Sequence, residues 1–346
     1  MKLKLSFIVA LATSIIFIPT AQAGESLQGS GSSFAANFID RCKSDYAKET
    51  GNSVSYNPVG SGSGKNMFTN NIVNFAMSDV PYSSSEIKPL KDFVYVPLVA
   101  GPIGIIYRLD GYKITIKLKK DTLANIFAGN ISKWNDPQIL EDNLIAGKIP
   151  NIPNKPIKLV YRSDGSGTSQ VFTEYLHAIA PSIWVKQGNK SFASAFPGDI
   201  SSNFMYQSAS GSQGIAMIQA VTDGSISYNE ISYARNLKMA SIENESGKFM
   251  HPTLNAAAQF LSDATKDPSG IIKVNYLNQN KLSYNIGTFT YGIAYKGNTI
   301  ENKSVQSFFN FMLNSCNKKA KEIGYSPITG SMLKFAKSKV SEINKI

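Results

Sequence analysis

Short apolar runs alternate along this chain with longer stretches whose apolar positions recur every three or four residues. The runs predict strands at 53–57, 73–77, 93–99, 103–108, 157–161, 224–228 and 289–295. The longer spacing predicts helices over 34–50, 65–71, around 122–127, and over 168–179, 211–222, 304–314 and 331–343. Strands and helices that alternate in this way form an α/β fold, in which ligands gather where a strand turns into a helix.

The first 23 residues break the pattern. Lys2 and Lys4 precede an apolar stretch from Leu5 to Ile18, and the segment ends on Ala21, Gln22 and Ala23. This predicts a secretory leader cleaved after Ala23. The polar run GESLQGSGSS follows in place of a charged stop, and no cysteine stands at the cleavage point, so neither a membrane anchor nor a lipid anchor is expected. Residues 24–346 exceed what one hydrophobic core usually serves, and no Pro-rich or Ser-rich linker divides them, so two domains joined by close chain crossings are expected.

Losing Lys2 and Lys4 lowers the formal net charge from +11 to +9. The remaining lysines are dispersed and thicken toward the C-terminus at helix-surface spacing. No basic block is interleaved with aromatics, which argues against nucleic acid as a partner. The only cysteines are Cys42 and Cys316. An exported chain tolerates disulfides, and both lie on predicted helices, so a bridge is expected ahead of two free buried thiols.

Three strand-to-helix turns share one chemistry: GSGSSF at 29–34, GSGSGK at 60–65 and DGSGTS at 164–169. Glycine permits close backbone approach, and hydroxyls cap helices or donate to a ligand. Any one of these is read as an ordinary helix cap. Three helix N-termini facing one point, each with unpaired N–H groups and partial positive charge, would bind an anion.

Nucleotide and catalytic motifs fit poorly. A P-loop ending at Gly64 and Lys65 needs glycine where Val59 stands and Ser or Thr where Asn66 stands. His177 and His251 are the only histidines, and Ser166 lies in DGSGT rather than GxSxG. Two histidines and two distant cysteines give no zinc spacing. Turnover is not expected, nor is a cofactor or a metal.

GSGSSFAANFI, YNPVGSGSGKNMF, VNFAMSDVPYS and YRSDGSGTSQVF, in this order, resemble the phosphate-specific periplasmic binding proteins of ATP-driven ABC importers. LANIFAGNISKWNDPQI and GSQGIAMIQAV add to the likeness, which is loose between about 185 and 280. The resemblance implies a two-lobed periplasmic binding protein fold of type II, each lobe a mixed sheet flanked by helices. Residues 24–107 with 276–346 would form one lobe and 108–275 the other, placing Cys42 and Cys316 together. It further implies a periplasmic, non-enzymatic monomer that captures inorganic phosphate and delivers it to membrane permease subunits. By matching position the phosphate contacts are Ser33, Phe34, Ser61, Asp79, Arg162, Ser166, Gly167 and Thr168, with Asp164 in support. Ala35 departs from a proline common in the family.

The residues support this independently. Arg162 offers a planar cationic fork that Asp164 can hold in place, although the same pair would also make a surface ion pair worth under about 1 kcal/mol. Phe34 is read as a core ring whose backbone amide is the contact. Asp79, ionised, accepts hydrogen bonds only and so repels an anion that has no proton to give. Phosphate near neutral pH keeps one and sulfate keeps none; a plain loop-capping role before Pro81 is the alternative. Other classes considered are a secreted phosphate-ester hydrolase, a phosphate-binding adhesin and a sulfate receptor.

Overall fold

The longest strand, Phe93–Tyr107, ties the molecule together, and every residue in it after Phe93 is buried. A computed structural model of the chain describes residues 26–202, 205–234 and 236–345. The expected leader, residues 1–23, lies outside the described residues.

On one side, the first part of this strand pairs antiparallel with Gly287–Tyr295. Beyond that strand lie Phe75–Ser78, Ser26–Gly31 and Ser53–Asn57, parallel to one another. From Ile103 onward the long strand pairs on its other side with Ser225–Glu230, beyond which Lys158–Arg162 and Tyr206–Ala209 run parallel. The chain therefore changes lobes inside one continuous strand. The expectation of two strands, 93–99 and 103–108, fails here. Pro102 has no amide to give, but its neighbour Ile103 donates to Ile286 at 2.9 Å, which carries the ladder past the Gly101–Pro102 break.

Both lobes are thus mixed sheets flanked by helices. In the first, Ala36–Thr50, Ser61–Thr69 and Ile300–Asn314 supply the cover, with Phe38, Phe68, Phe308 and Phe309 buried beneath them. In the second, Gly167–Ile179 and Gly211–Val221 do so, over Phe127, Phe172 and Tyr228. Phe172 stacks on Tyr228 with ring centroids 4.5 Å apart. Helix Leu254–Ser262 packs on the strands Phe93–Tyr107 and Gly287–Tyr295. The Ile272 amide just beyond it bonds the Tyr291 hydroxyl at 3.0 Å.

Cys42, on helix Ala36–Thr50, is bridged to Cys316, at the start of the turn Cys316–Lys319. Their Cα atoms stand 5.6 Å apart, within the ordinary span of a disulfide.

Candidate anion-binding site

In each lobe the parallel strands end on the same side, and two of the ends in each open into a turn and an α-helix. Ser26–Gly31 leads through Ser32 and Ser33 to the helix that begins at Ala36, and Ser53–Asn57 leads to the helix beginning at Ser61. Asp79 follows the last residue of Phe75–Ser78. From the other lobe, Lys158–Arg162 ends on Arg162 itself, and the next helix begins at Gly167 with Ser166 as its cap. The Ser166 hydroxyl oxygen accepts the Ser169 amide at 3.0 Å, an ordinary N-cap bond.

These ends meet across a closed cleft. Thr168 Oγ1 donates to Asp79 Oδ2 at 3.1 Å, and the Gly62 amide donates to the Gly165 carbonyl at 2.8 Å. Ser61 Oγ accepts the Asp79 amide at 3.2 Å. Glycine at 167 follows from this approach, because a Cβ there would stand 2.5 Å from Ser61 Oγ and 2.7 Å from Asp79 Cβ. Gly60, with φ +91°, is constrained twice, since its Cβ would fall 2.2 Å from Asp164 Oδ2. The small residues of DGSGT and VGSGS thus let two lobes touch.

Arg162 is 3% exposed and holds Asp164 through two bonds, Nε to Oδ1 at 2.6 Å and Nη2 to Oδ2 at 2.5 Å. Burial of Asp164 works against its charge, but the guanidinium and the Gly211 amide, 3.0 Å from Oδ1, outweigh it and hold the carboxyl below its ordinary value. Burial acts on Asp79 in the same sense and there prevails, raising its pKa above the usual carboxylate range. The hydroxyls of Ser32, Thr290 and Thr168 and the charge of Arg162 oppose that rise.

The helix behind Phe34 begins two residues later than the apolar pattern predicts, because Ser32 Oγ takes up the Ala35 amide at 3.3 Å and Ala35 becomes the cap. The Phe34 ring is fully buried and packs edge-on against Tyr325, whose hydroxyl donates to the Phe34 carbonyl at 2.6 Å. Ser33 lies at the cleft, where its Oγ accepts the Ser212 amide from the opposite lobe at 3.0 Å. Contacts across or beside the cleft thus link Ser33, Ser61, Asp79, Gly167 and Thr168, with Arg162, Asp164 and Ser166 on the adjoining turn, while the Phe34 side chain lies in the core.

Four further residues join them. Ser32 and Thr290 bond the Asp79 carboxylate, at 2.5 and 2.7 Å, while Gly211 and Ser212 bring in the N-terminus of a fourth helix. The stretch GSQG at 211–214 carries the same glycine and hydroxyl chemistry as the other three turns, so that helix was readable; Thr290, in a strand, carries no local signal.

At the edge of the cleft, Glu86 accepts from Lys65 on its own lobe and from Lys190 on the other, each at 2.7 Å. The Lys190 carbonyl in turn accepts the Ser166 amide at 2.9 Å. Among the described residues, no three His, Cys, Asp or Glu side chains come together as a metal ion requires. The chemistry available is that of oriented donors around one buried acceptor.

A family model described as "PBP superfamily domain" matches residues 19–315. The phosphate-binding protein PstS of Haemophilus influenzae is 33% identical over 345 residues, 98% of either chain. Its namesake in Pasteurella multocida is 28% identical over 317 residues, 90% of this chain and 88% of that one. Among solved structures, a high-affinity periplasmic phosphate-binding protein bound with phosphate superposes with a TM-score of 0.74. Identity to it is 21%, over 90% of this chain and 93% of that one. An ABC-type phosphate transport receptor from Vibrio cholerae gives 0.55 at 16% identity, over 87% and 99%. At such identities these two likenesses speak for the fold.

Proposed function

This chain belongs to the phosphate-binding protein PstS family of the PBP superfamily, and from that premise we propose that the closed cleft described above is its phosphate site. The protein binds phosphate as the PstS component of ABC phosphate transport, and it is a receptor, not an enzyme. Ser33, Ser61, Ser166 and Thr168 donate through their hydroxyls, and Phe34 and Gly167 through their amides. A serine hydroxyl that accepts a cap bond still has its proton to give, so Ser166 can serve both ends. Arg162, held by Asp164, supplies the positive charge. Phosphate exchanges with the bond between Thr168 and Asp79, the cross-lobe contact that ends on the Asp79 carboxylate.

The single observation that carries this reading is Asp79. A buried carboxylate stands where four helix N-termini converge, which suits an anion only if the anion brings a proton. Sulfate would face it with none. A site that depends on such a bond rejects the analogue lacking it by roughly 10⁴-fold or more.

The phosphate-bound structural neighbour is a periplasmic protein. We place this chain in the periplasm as well, exported by a leader cleaved after Ala23 and delivering phosphate as a monomer to the permease subunits of an ABC importer. The lobe of residues 24–107 and 276–346 closes on the lobe of 108–275, with the helix Leu254–Ser262 riding on the first through its packing on Gly287–Tyr295.

Calorimetry on mature protein, freed of ligand by unfolding and refolding, tests this. Phosphate should bind at one site and sulfate should give no heat at millimolar excess. Sulfate binding as tight as phosphate, or steady release of phosphate from an ester, would overturn it.

A further inference from the structure

The two oxygens of Asp79 have different surroundings. Oδ1 takes two hydroxyl bonds from its own lobe, from Ser32 at 2.5 Å and from Thr290 at 2.7 Å. Oδ2 takes one, from Thr168 on the opposite lobe. Thr290 sits inside the strand Gly287–Tyr295, and its neighbour Tyr291 pairs with Ser78, the residue just before Asp79. Thr288, two residues back on the same strand, donates to the Asp79 carbonyl at 3.3 Å. Sheet register therefore aims the hydroxyls of Thr288 and Thr290 at Asp79.

A hydroxyl that donates to a carboxylate favours the ionised form. Two of them on one oxygen also fix the rotation of the group, so the remaining oxygen points at the donor across the cleft. That donor belongs to the opposite lobe, so Oδ2, unlike Oδ1, depends on the cleft being closed.

On the reading that this cleft binds phosphate, we propose that Thr290, seconded by Ser32, is a positioning residue that sets the protonation demand of the site. It saturates Oδ1 and so reserves Asp79 Oδ2 as a pure acceptor, admitting oxyanions that carry a proton and excluding those that do not. The other titratable groups that act on Asp79 are Arg162, Lys65, Tyr56 and Tyr291. The two cations favour its charge. Both phenols are buried, which pushes their pKa values up and keeps them neutral. Burial alone drives Asp79 toward its neutral form, and a neutral carboxyl becomes a donor that sulfate can accept from.

Thr290→Val keeps the shape and removes the hydroxyl. Phosphate and sulfate titrations of this variant, Thr290→Ser and the unaltered protein, each from pH 5 to 9, test the proposal. In Thr290→Val the midpoint of the acid limb of phosphate binding should rise by about one pH unit, a tenfold change in proton affinity. Sulfate should begin to bind, and Thr290→Ser should restore both properties. A merely structural role would weaken all binding without moving the pH midpoint. If Thr290→Val does not fold, Ser32→Ala removes the other donor to Oδ1 and should shift the midpoint and admit sulfate in the same direction. An unchanged pH midpoint and intact sulfate exclusion in whichever variant folds, or a Thr290→Ser protein that behaves like the valine variant, overturns the proposal. Failure of the unaltered protein to bind phosphate would instead sink the reading on which it rests.

Discussion

Glu86 joins three elements, and the two lysines it holds should do different things when removed. Lys65 is 1% exposed in its side chain and Lys190 is 38% exposed, while Glu86 itself is 11% exposed. Burial pushes the Lys65 amine below its usual value, and Glu86 is the charge that offsets this. For Glu86, burial favours the neutral form, but Lys190, Lys65 and the Ser83 amide overcome it and bring the pKa from 4.5 to about 2. A difference of that size corresponds to something on the order of 3 kcal/mol. Because the folded value is depressed, this stability is present in full above pH 4.5 and lost as the pH falls toward 2, so neutral assays see it whole. Glu86→Gln should therefore lower the unfolding free energy by roughly 3 kcal/mol, since it leaves Lys65 buried with the Pro81 carbonyl, 3.0 Å away, as its acceptor. Lys190→Gln leaves the Lys65 pair intact and removes only the bond that crosses the cleft. An exposed partner limits its worth to about 1 kcal/mol, or about fivefold in phosphate affinity, carried mostly by faster release. Urea unfolding of the ligand-free protein and stopped-flow release of phosphate separate the two effects, and salt near 1 M should erase the Lys190 contribution. If Lys190→Gln releases phosphate at the unaltered rate in low salt, or costs as much folding stability as Glu86→Gln, the cross-cleft bond is not what holds the lobes together.

Three further outcomes are expected. Asp79→Asn can both donate and accept, so it should bring phosphate and sulfate to within about tenfold of each other in competition calorimetry. Replacing Cys42 and Cys316 together with serine opens a loop of 274 residues and should lower the unfolding free energy by up to about 5 kcal/mol in urea melts. Phosphate affinity should hold, because neither cysteine lies at the cleft. Glu230, fully buried beside Ser232, has its pKa raised by burial to about 8 against an ordinary 4.5. Its folded form keeps the proton that the unfolded chain gives up, so stability is full below pH 4.5 and declines by several kcal/mol as the pH rises to about 8. Glu230→Gln should flatten that part of the stability curve between pH 5 and 8, and a variant with the unaltered slope would refute the assignment.

Strands buried on one face were legible because their alternation is local: Ser53–Asn57 alternates exposed and buried positions along its whole length and is predicted to the residue. Ser26–Gly31 was not anticipated. Its SLQGSG has the composition of a loop, and it is a strand because parallel neighbours flank it on both sides. Tyr206–Ala209 is similar, an edge strand defined by its pairing with Lys158–Arg162. Two helices begin earlier than the apolar period predicts, for a related reason. At Ser61 and Gly167 the first turn is built of small residues that face the other lobe, so the apolar period begins only further along.

The same division runs through the site. Turn chemistry is written locally, and it singled out the turns that carry Ser33, Ser61, Ser166, Gly167 and Thr168, the residues we propose as donors. What makes Asp79 selective is written elsewhere, more than 200 residues away in sequence, and it arrives through the antiparallel pairing of Gly287–Tyr295 with Phe75–Ser78. A threonine in an apolar strand looks like any β-branched residue until its cross-strand neighbour is known. It follows that a chain could keep all four glycine and hydroxyl turns, and with them a cradle for an anion, while losing the ability to tell phosphate from sulfate through a shift of register in one strand. Discrimination among oxyanions should therefore be more sensitive to substitutions in the sheet beneath Asp79 than affinity is.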